Sequence, residues 1–460
     1  MLFHSQLFLL VFLPLTLGLY YLFAERRALR TWTLILASVV FYGYWEPRLV
    51  PLLLGSVCVN WLFAWVFGRH PRAFLVGAGV ALNLAVIGVF KYADFFADSL
   101  ALLGLWQHER WNIILPLGIS FFTFQQISYL VDLRRGDTPV YRFADYALYV
   151  MFFPQLIAGP IVRHNEIVFQ YAASPLRDGL YERLSRGLVL FTVGLLKKVA
   201  VADNLALIAE PLYAAAADGR ALSLAEGWAA AGAFGLQIYF DFSGYSDMAI
   251  GLGLMFGLRF PLNFNAPYRA ASIRDFWRRW HMTLSRFLRD YLYIPLGGNR
   301  FGPARQIAAV LATMLLGGLW HGASWTFVVW GGLHGLALAV NLAWRRTGLR
   351  LPWGAGWALT MVFVFATWAV FRAETFGAAL DIVTAMAGGH GWSLDVQGVR
   401  KLWIIGVAAL VAVFGPTSQS ATLDMLAPRR LAAVAVAAGL VFVTLDVGGG
   451  DNGEFIYFQF

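Results

Sequence analysis

One histidine of this chain, His321, lies in the middle of a long uncharged segment. The 39 residues between Arg305 and Arg345 contain no Asp, Glu, Lys or Arg, and they suffice for two membrane crossings of about 20 residues each. An imidazole in such a segment is costly unless it faces protein or a water-filled cavity, so His321 is a candidate functional residue. Neighbouring glycines predict a local break in the helix, lining a cavity. They are Gly317, Gly318 and Gly322.

A buried imidazole of this kind suits general-base chemistry, because burial favours its neutral form. Two other kinds of site have little support. The sequence has no His-Glu-x-x-His pattern and no carboxylate near His321, so we predict no metal site. It also lacks the Gly-x-Ser-x-Gly elbow of serine hydrolases.

The segment from Arg269 to Arg305 is the most basic part of the chain, with eight arginines. At 100° per residue, positions 276–291 place aromatic and leucine side chains on one side and arginines on the other, which predicts one amphipathic helix at the membrane interface. His281 falls on the border between the two faces. The cationic face is either a membrane-surface anchor or a surface that binds a phosphate-rich thioester such as a coenzyme A ester.

The composition excludes most soluble classes of protein. The chain is 59% hydrophobic and only 13% charged, with a net charge of +9, whereas soluble domains are roughly 25% charged. We predict an all-α polytopic membrane protein that forms one domain over residues 1–460. The positive charge indicates cytoplasmic loops rather than nucleic-acid binding. The single cysteine, Cys58, excludes a disulfide framework and is interpreted as a core residue.

Apolar segments alternate with short charged connectors along the whole chain. We predict about 11 membrane spans plus re-entrant or interfacial helices. The first segment is interpreted as a retained helix rather than a signal peptide, because it lacks a basic flank and a cleavage site. The candidate segments are 7–23, 31–45, 49–67, 73–90, 113–131, 143–162, 186–202, 226–256, 306–320, 325–344, 356–371, 402–415 and 431–447.

The remaining polar residues are interpreted mainly as structural. His334 is expected to be a hydrogen-bonded packing residue beside glycines. Asp241 and Asp247 flank Ser243 in an otherwise apolar segment, and these carboxylates need partners, for which the arginines of 269–305 are candidates. Five histidines in terminal or connector positions are expected to be solvated or interfacial. They are His4, His70, His108, His164 and His390.

Several motifs together resemble the membrane-bound O-acyltransferases, and the bacterial branch that acetylates polysaccharides such as alginate fits best. The likeness extends along nearly the whole chain. The motifs are WRRWHMTLS at 277–285, LWHG at 319–322, LPLGISFFTFQ at 115–125, FFPQLIAGPI at 152–161, DFSGYSD at 241–247, NFNAPY at 263–268 and FIYFQF at 455–460.

The resemblance implies a ring of tilted helices around a funnel through the membrane. It implies His321 as the essential catalytic residue and His281 as a second active-site residue. It also implies acetyl-CoA as the donor substrate, with no bound cofactor. On this basis we predict a set of substrate-binding residues, namely Trp277, Arg278, Arg279, Trp280, Trp320, Asp241, Ser243 and Asn265.

The same resemblance implies a multi-pass protein of the bacterial inner membrane, in contact with lipids. Its acceptor would be a hydroxyl group outside the cytoplasm, on an exopolysaccharide or on a periplasmic acetyl-accepting transferase partner.

Two alternative functions stay open. Proteins that transfer D-alanine to teichoic acid share much of the motif set but take the acyl group from a carrier protein. A polysaccharide export subunit is the alternative from another class, although the sequence has no internal repeat.

Overall fold

A computed structural model describes residues 1–106, 110–394, 396, 401–425, 430–448 and 455–456 of the chain. These residues form twenty α-helices and contain no strand, which confirms the all-α class. The helices are α1 (Leu13–Leu22), α2 (Arg27–Gly43), α3 (Val50–Arg69), α4 (Ala73–Ile87), α5 (Ala93–Leu102), α6 (Ile119–Arg135), α7 (Phe143–Met151), α8 (Phe153–Leu156), α9 (His164–Ile167), α10 (Leu180–Leu196), α11 (Asp203–Ala217), α12 (Leu224–Met255), α13 (Ile273–Trp277), α14 (Met282–Leu288), α15 (Gly302–His321), α16 (Trp325–Arg346), α17 (Trp353–Arg372), α18 (Phe376–Met386), α19 (Trp403–Phe414) and α20 (Arg430–Gly448).

The chain divides into two compact units. The first contains Met1–Val193, Tyr245–Leu262 and Leu426–Asp451, and the second contains Gly194–Gly244, Asn263–Met425 and Asn452–Phe460. Both histidines of the predicted active site lie in the second unit. The assignment of residues 1–460 to one domain stays a prediction.

Among the described residues, four helices are long and apolar enough to cross a membrane, which supports the prediction of a membrane protein. They are Pro47–Arg69, Ala73–Leu102, Trp325–Arg346 and Trp353–Arg372. Shorter apolar helices are found at Phe8–Leu22, Phe376–Met386, Trp403–Phe414 and Ala432–Val447. The predicted number of about 11 spans is not confirmed by this part of the chain.

The structure corrects two details of the predicted organisation and adds a helix outside the candidate segments. The segment 143–162 is not one helix, because Phe152 leaves the helical conformation and the short helix α8 begins at Phe153, with Pro154 in its first turn. The additional helix is α18, whose first turn is capped by the hydroxyl of Thr375 accepting from the backbone N–H of Ala378. Cys58 is exposed on α3 rather than buried in the core.

Helices α15 and α16 form an antiparallel hairpin in the second unit. Gly318 and Gly331 face each other across it. A Cβ atom at either position would clash with backbone atoms of the opposite helix. Glycine at these two positions therefore allows the backbones to come into direct contact. The turn between the helices is fixed by Ser324, whose hydroxyl accepts from the backbone N–H of Thr326.

Helix α17 packs antiparallel to α16 and completes a three-helix layer. Near the start of α17, Trp357 Nε1 donates to the backbone carbonyl of Tyr268 at 2.9 Å. Its last turn brings Phe371 against Phe327, with ring centroids 4.8 Å apart. The end of α15, the start of α16 and the end of α17 thus meet at one end of the layer, which we call the hairpin tip.

Candidate active site

His321 is the last residue of α15 and lies at the hairpin tip. Its side chain is only 5% exposed. Aromatic rings surround the imidazole, with centroids 4.8 Å away at Trp320, 5.2 Å at Trp330 and 5.2 Å at Phe371. Three aromatic rings therefore enclose this imidazole at the hairpin tip.

The predicted break in the helix lies at Gly322, whereas Gly317 and Gly318 are helical. Helix α15 continues without a break through Gly317 and Gly318. A side chain at Gly317 would meet Leu288 Cδ1 at 3.2 Å, and one at Gly322 would meet the ring of Phe327. These glycines allow close packing around the histidine. The helix ends at His321 because Gly322 is extended.

The predicted amphipathic helix over 276–291 is wrong as a single element. Helix α13 ends at Trp277 and α14 begins at Met282, and His281 between them has a left-handed backbone conformation with φ of 40°. The break arises because Asn265 N donates to the carbonyl of Arg279 and Met282 N donates to the carbonyl of Asn263. These tertiary hydrogen bonds replace those that a continuous helix would make.

Asn263 fixes the orientation of His281, and the sequence reasoning missed it. Its side-chain oxygen lies 2.9 Å from His281 Nδ1 and accepts from both the backbone N–H and the hydroxyl of Thr283. Because that oxygen is an acceptor, Nδ1 carries the proton and Nε2 keeps its lone pair. Within the described part of the chain, the buried Nε2 has no hydrogen-bond partner. Burial also lowers the pKa of His281 to about 3, so the imidazole stays neutral.

The indole of Trp320 lies beside both imidazoles. Its ring centroid is 6.1 Å from that of His281 and 4.8 Å from that of His321. The structure therefore brings together three of the predicted site residues. Trp280, another predicted site residue, stacks instead on Phe276, with ring centroids 5.6 Å apart and planes 13° apart.

His334 is a hydrogen-bonded packing residue, as expected. Trp277 Nε1 donates to its Nδ1 at 3.2 Å, and its Nε2 lies 3.0 Å from the hydroxyl of Thr367. That hydroxyl donates in turn to the carbonyl of Val364, so Nε2 is the donor to Thr367. Both nitrogens are satisfied, which leaves no lone pair for catalysis.

A basic cleft of about 760 Å³ opens at the end of the hairpin opposite His321. Residues of α13 to α16 and of the segments between them line it, including Trp277 and Met282. Five arginines contribute to the lining, namely Arg274, Arg278, Arg286, Arg289 and Arg345. The predicted cationic surface thus exists, although it is built from several elements rather than from one helix.

The two adjacent arginines of the WRRWH motif differ in role. Arg278 is exposed and lines the basic cleft. Arg279 instead pairs with Asp275 at 3.0 Å and donates to the backbone carbonyl of Asn265 at 3.3 Å. Arg279 therefore holds the chain turn in place, and the exposed Asn265 contributes backbone groups to it.

Asp241 and Ser243 form a separate polar cluster on α12. Asp241 pairs with Lys198 at 2.9 Å and accepts from the backbone N–H of Ile456 at 2.8 Å. The predicted arginine partner is therefore wrong, because a lysine preceding α11 supplies the charge. Ser243 accepts from Lys197 at 3.2 Å. The residue between them, Phe242, packs its ring 4.7 Å from that of His281.

Two histidines expected to be solvated are buried. His4 is 5% exposed and His164 is fully buried. His164 joins a chain in which its Nε2 lies 3.1 Å from Asp132 and its Nδ1 lies 3.0 Å from the hydroxyl of Tyr141. His70 and His390 are exposed, as expected, and His108 lies outside the described residues.

In the described ranges, no group of three His, Cys, Asp or Glu side chains is placed to hold a metal ion.

Comparisons with known proteins agree with these motifs. The sequence model of the membrane-bound O-acyltransferase family matches residues 133–371. A peptidoglycan O-acetyltransferase of Helicobacter pylori is 40% identical over 431 residues, which cover 86% of this chain and 81% of that protein. A probable alginate O-acetylase of Pseudomonas aeruginosa is 41% identical over 426 residues, covering 90% and 80%. A teichoic acid D-alanyltransferase of Streptococcus thermophilus is 29% identical over 238 residues, covering 50% and 57%.

Proposed function

Because this chain belongs to the membrane-bound O-acyltransferase family and is an O-acyltransferase, we propose an acetyl-transfer function for it. The protein moves acetyl groups from cytoplasmic acetyl-CoA to an exopolysaccharide outside the cytoplasm. Relatives named for alginate and peptidoglycan acetylation support the acetyl group and the polysaccharide. The observation that carries the proposal is the placement of the basic cleft and His321 at opposite ends of one helical hairpin.

The basic cleft is proposed to bind the phosphates of acetyl-CoA. Guanidinium groups pair with phosphate oxygens through charge-assisted hydrogen bonds, and five arginines line this cleft. Val310 lines the cleft and lies on the same helix as His321, eleven residues away, which is about 17 Å at 1.5 Å per residue. The pantetheine arm would extend along this helix and bring the thioester to the hairpin tip.

His321 is proposed to act as the general base. An alcohol is a weak nucleophile at neutral pH, so its proton must be removed as its oxygen attacks the thioester carbonyl. The imidazole takes that proton, the tetrahedral intermediate collapses with cleavage of the carbon–sulfur bond, and the imidazolium returns the proton to the departing thiolate. The products are the acetyl ester and free coenzyme A.

His281 is proposed to position substrate rather than to polarise the carbonyl. Its Nδ1 proton is used by Asn263, so Nε2 offers a lone pair and no proton. A lone pair repels a carbonyl oxygen but accepts a hydrogen bond from a hydroxyl or amide N–H. The low pKa of about 3 also makes this imidazole a weak base. We infer that it orients a donor group of the substrate beside Trp320.

D-Alanyl transfer is the second candidate, because teichoic acid D-alanyltransferases are also related to the chain. The two functions differ in the donor, since a carrier protein needs an extended docking surface whereas coenzyme A needs a cavity. A concave cleft of about 760 Å³ with five arginines supports coenzyme A as the donor.

We also propose that the protein lies in the bacterial inner membrane and that a periplasmic partner takes part in delivery to the polymer.

Donor competition tests this proposal. The purified chain in nanodiscs would be incubated with polysaccharide fragments and a periplasmic extract that supplies the proposed partner. The donor would be acetyl-CoA, or a D-alanyl carrier protein at the same concentration. We expect release of free coenzyme A, coupled to ester formation on the sugar. Turnover of the carrier protein alone would contradict the proposed donor.

A further inference from the structure

The basic cleft depends on a helix that is too short to be stable alone. Helix α13 spans the five residues Ile273–Trp277, whereas an isolated helix shorter than about 12–15 residues is at best marginally stable in water. This helix nevertheless supplies Arg274 and Trp277 to the lining of the cleft, and Arg278 follows it directly. Contacts with the rest of the second unit must therefore hold these side chains in place.

A hydrogen bond joins α13 to the helical hairpin. Trp277 Nε1 donates to Nδ1 of His334, which is fully buried in the middle of α16. The two rings lie 5.4 Å apart and almost perpendicular, at 83°. Trp330, one turn earlier on α16, packs against both, with ring centroids 5.9 Å from that of Trp277 and 4.6 Å from that of His334. Trp277 itself is only half-buried, so its indole is fixed on the hairpin side and open to the cleft.

The acceptor role of His334 Nδ1 depends on a second hydrogen bond at its other nitrogen. An indole N–H can only donate, so Nδ1 keeps its lone pair and the proton of the neutral imidazole lies on Nε2. That proton is donated to the hydroxyl of Thr367 at 3.0 Å, and the hydroxyl donates in turn to the carbonyl of Val364 at 2.9 Å. Thr367 is buried on α17. Its hydroxyl therefore selects the tautomer of His334 that can accept from Trp277.

Resting on the function proposed above, we propose that His334 is a positioning residue for the donor substrate: it anchors Trp277, and with it Arg274 and Arg278, in the wall of the basic cleft. Thr367 keeps His334 in the required tautomer. Without that hydroxyl, the Nε2 proton would be buried without an acceptor, which is unfavourable. Transfer of the proton to Nδ1, or rotation of the ring, relieves this but removes the acceptor from Trp277. A change at Thr367, which does not line the cleft, should therefore alter donor binding.

Calorimetric titration of acetyl-CoA into the purified chain in nanodiscs tests this role without relying on turnover. The decisive variant is Thr367→Val, which replaces the hydroxyl by a methyl group, and Thr367→Ser is the conservative variant that keeps the hydroxyl. Thr360→Val is the matched control. Thr360 is also buried on α17, and its hydroxyl likewise donates to a carbonyl of its own helix, that of Gly356 at 2.7 Å. The thermal midpoint of each protein reports its folding.

We expect Thr367→Val to raise the Kd for acetyl-CoA about three- to tenfold, the effect of losing one hydrogen bond. Thr367→Ser and Thr360→Val should bind acetyl-CoA like the wild type. Trp277→Phe should also raise the Kd, because it removes the indole N–H. Adding Thr367→Val to Trp277→Phe should then cause no further change, since the hydrogen bond through which Thr367 acts is already missing.

Equal Kd values for the wild type and Thr367→Val would overturn the assignment, and so would additive effects of Thr367→Val and Trp277→Phe. If Thr367→Val does not fold, Thr367→Ala removes the same hydroxyl and should give the same rise in Kd. A wild-type protein that binds no acetyl-CoA would overturn the proposed donor together with this assignment. Unchanged affinity in the Thr367 variants would overturn the assignment alone.

Discussion

At the scale of single residues, the proposed chemistry depends on how the imidazoles of His281 and His321 are held. His321 is enclosed by aromatic rings, whereas His281 is fixed by one amide oxygen and keeps a lone pair on Nε2. Hydrogen bonding thus gives the two side chains different capacities although both are buried. His334 shows the contrast, since both of its nitrogens are satisfied.

Replacement of His321 by alanine should lower acetyl transfer by at least about 100-fold, because general-base assistance contributes about 10²–10⁴-fold. Expression and acetyl-CoA affinity should stay near the wild-type values, since the basic cleft is at the other end of the hairpin. The measurement is the initial rate of ester formation. His70→Ala, at an exposed histidine, is the matched control. A rate within tenfold of the wild type would exclude His321 as the base.

The stability of the protein should depend on pH through His281. Its pKa in the folded state is about 3, below the ordinary value of about 6.5. The unfolded state therefore binds a proton first as the pH falls below 6.5, and folding loses up to about 1.4 kcal/mol per pH unit from this group. We expect the thermal midpoint of the wild type in detergent to fall more steeply between pH 6.5 and 4.5 than that of His281→Gln. Parallel curves for the two proteins would contradict this assignment.

The catalytic role of His321 stays a prediction, whereas its buried position could be predicted from the sequence. The uncharged segment indicates a buried imidazole because a charge there is costly in lipid, and that reasoning is local. The sequence motif suggested Asn265 as a site residue rather than Asn263, because only the folded turn shows which of the two side chains contacts His281. The sequence also placed His164 in a solvated connector, since hydropathy alone does not reveal the buried partners Asp132 and Tyr141.

At the scale of elements, the hairpin of α15 and α16 is a rigid spacer. Direct contact of backbones at Gly318 and Gly331 fixes the two helices against each other. The broken helix at His281 is the element that periodicity could not predict, because hydrogen bonds from the distant residues 263–265 override the helical pattern. Because of the break, the two adjacent arginines lie in different surroundings. Arg278 lines the cleft, whereas Arg279 pairs with Asp275 and stabilises the turn.

Charge reversal in the basic cleft should weaken donor binding. We expect the double variant Arg278→Glu and Arg345→Glu to raise the Kd for acetyl-CoA at least about tenfold, because charge-assisted hydrogen bonds contribute about 1.5–3 kcal/mol. The wild-type affinity should also fall with added salt. Calorimetry is the measurement, and Arg300→Glu is the control, since Arg300 is exposed in the same basic segment but does not line the cleft. Equal Kd values for the double variant and the control would leave the cleft as a membrane-surface anchor.

At the scale of the whole molecule, the account depends on two different environments at the ends of one layer of helices. Basic side chains line a cleft at one end, and His321 lies at the other. The apolar length of α16 and α17 suffices for each to cross a membrane. Donor and acceptor would then never share a compartment, and the acetyl group alone would change sides.

Sided acetyl transfer in sealed vesicles tests this claim most directly. The purified chain would be reconstituted in a Cys58→Ser background, with cysteine at exposed Ala323 or at exposed Arg300 to report orientation to an impermeant thiol reagent. Acetyl-CoA would be supplied outside, with oligosaccharide acceptor and a periplasmic extract that supplies the proposed partner either trapped inside or added outside. We predict that the two cysteines are labelled from opposite faces and that only the trapped acceptor gains acetyl esters, with no product from the His321→Ala variant. Labelling of both cysteines from one face, together with acetylation of the external acceptor alone, would contradict the account.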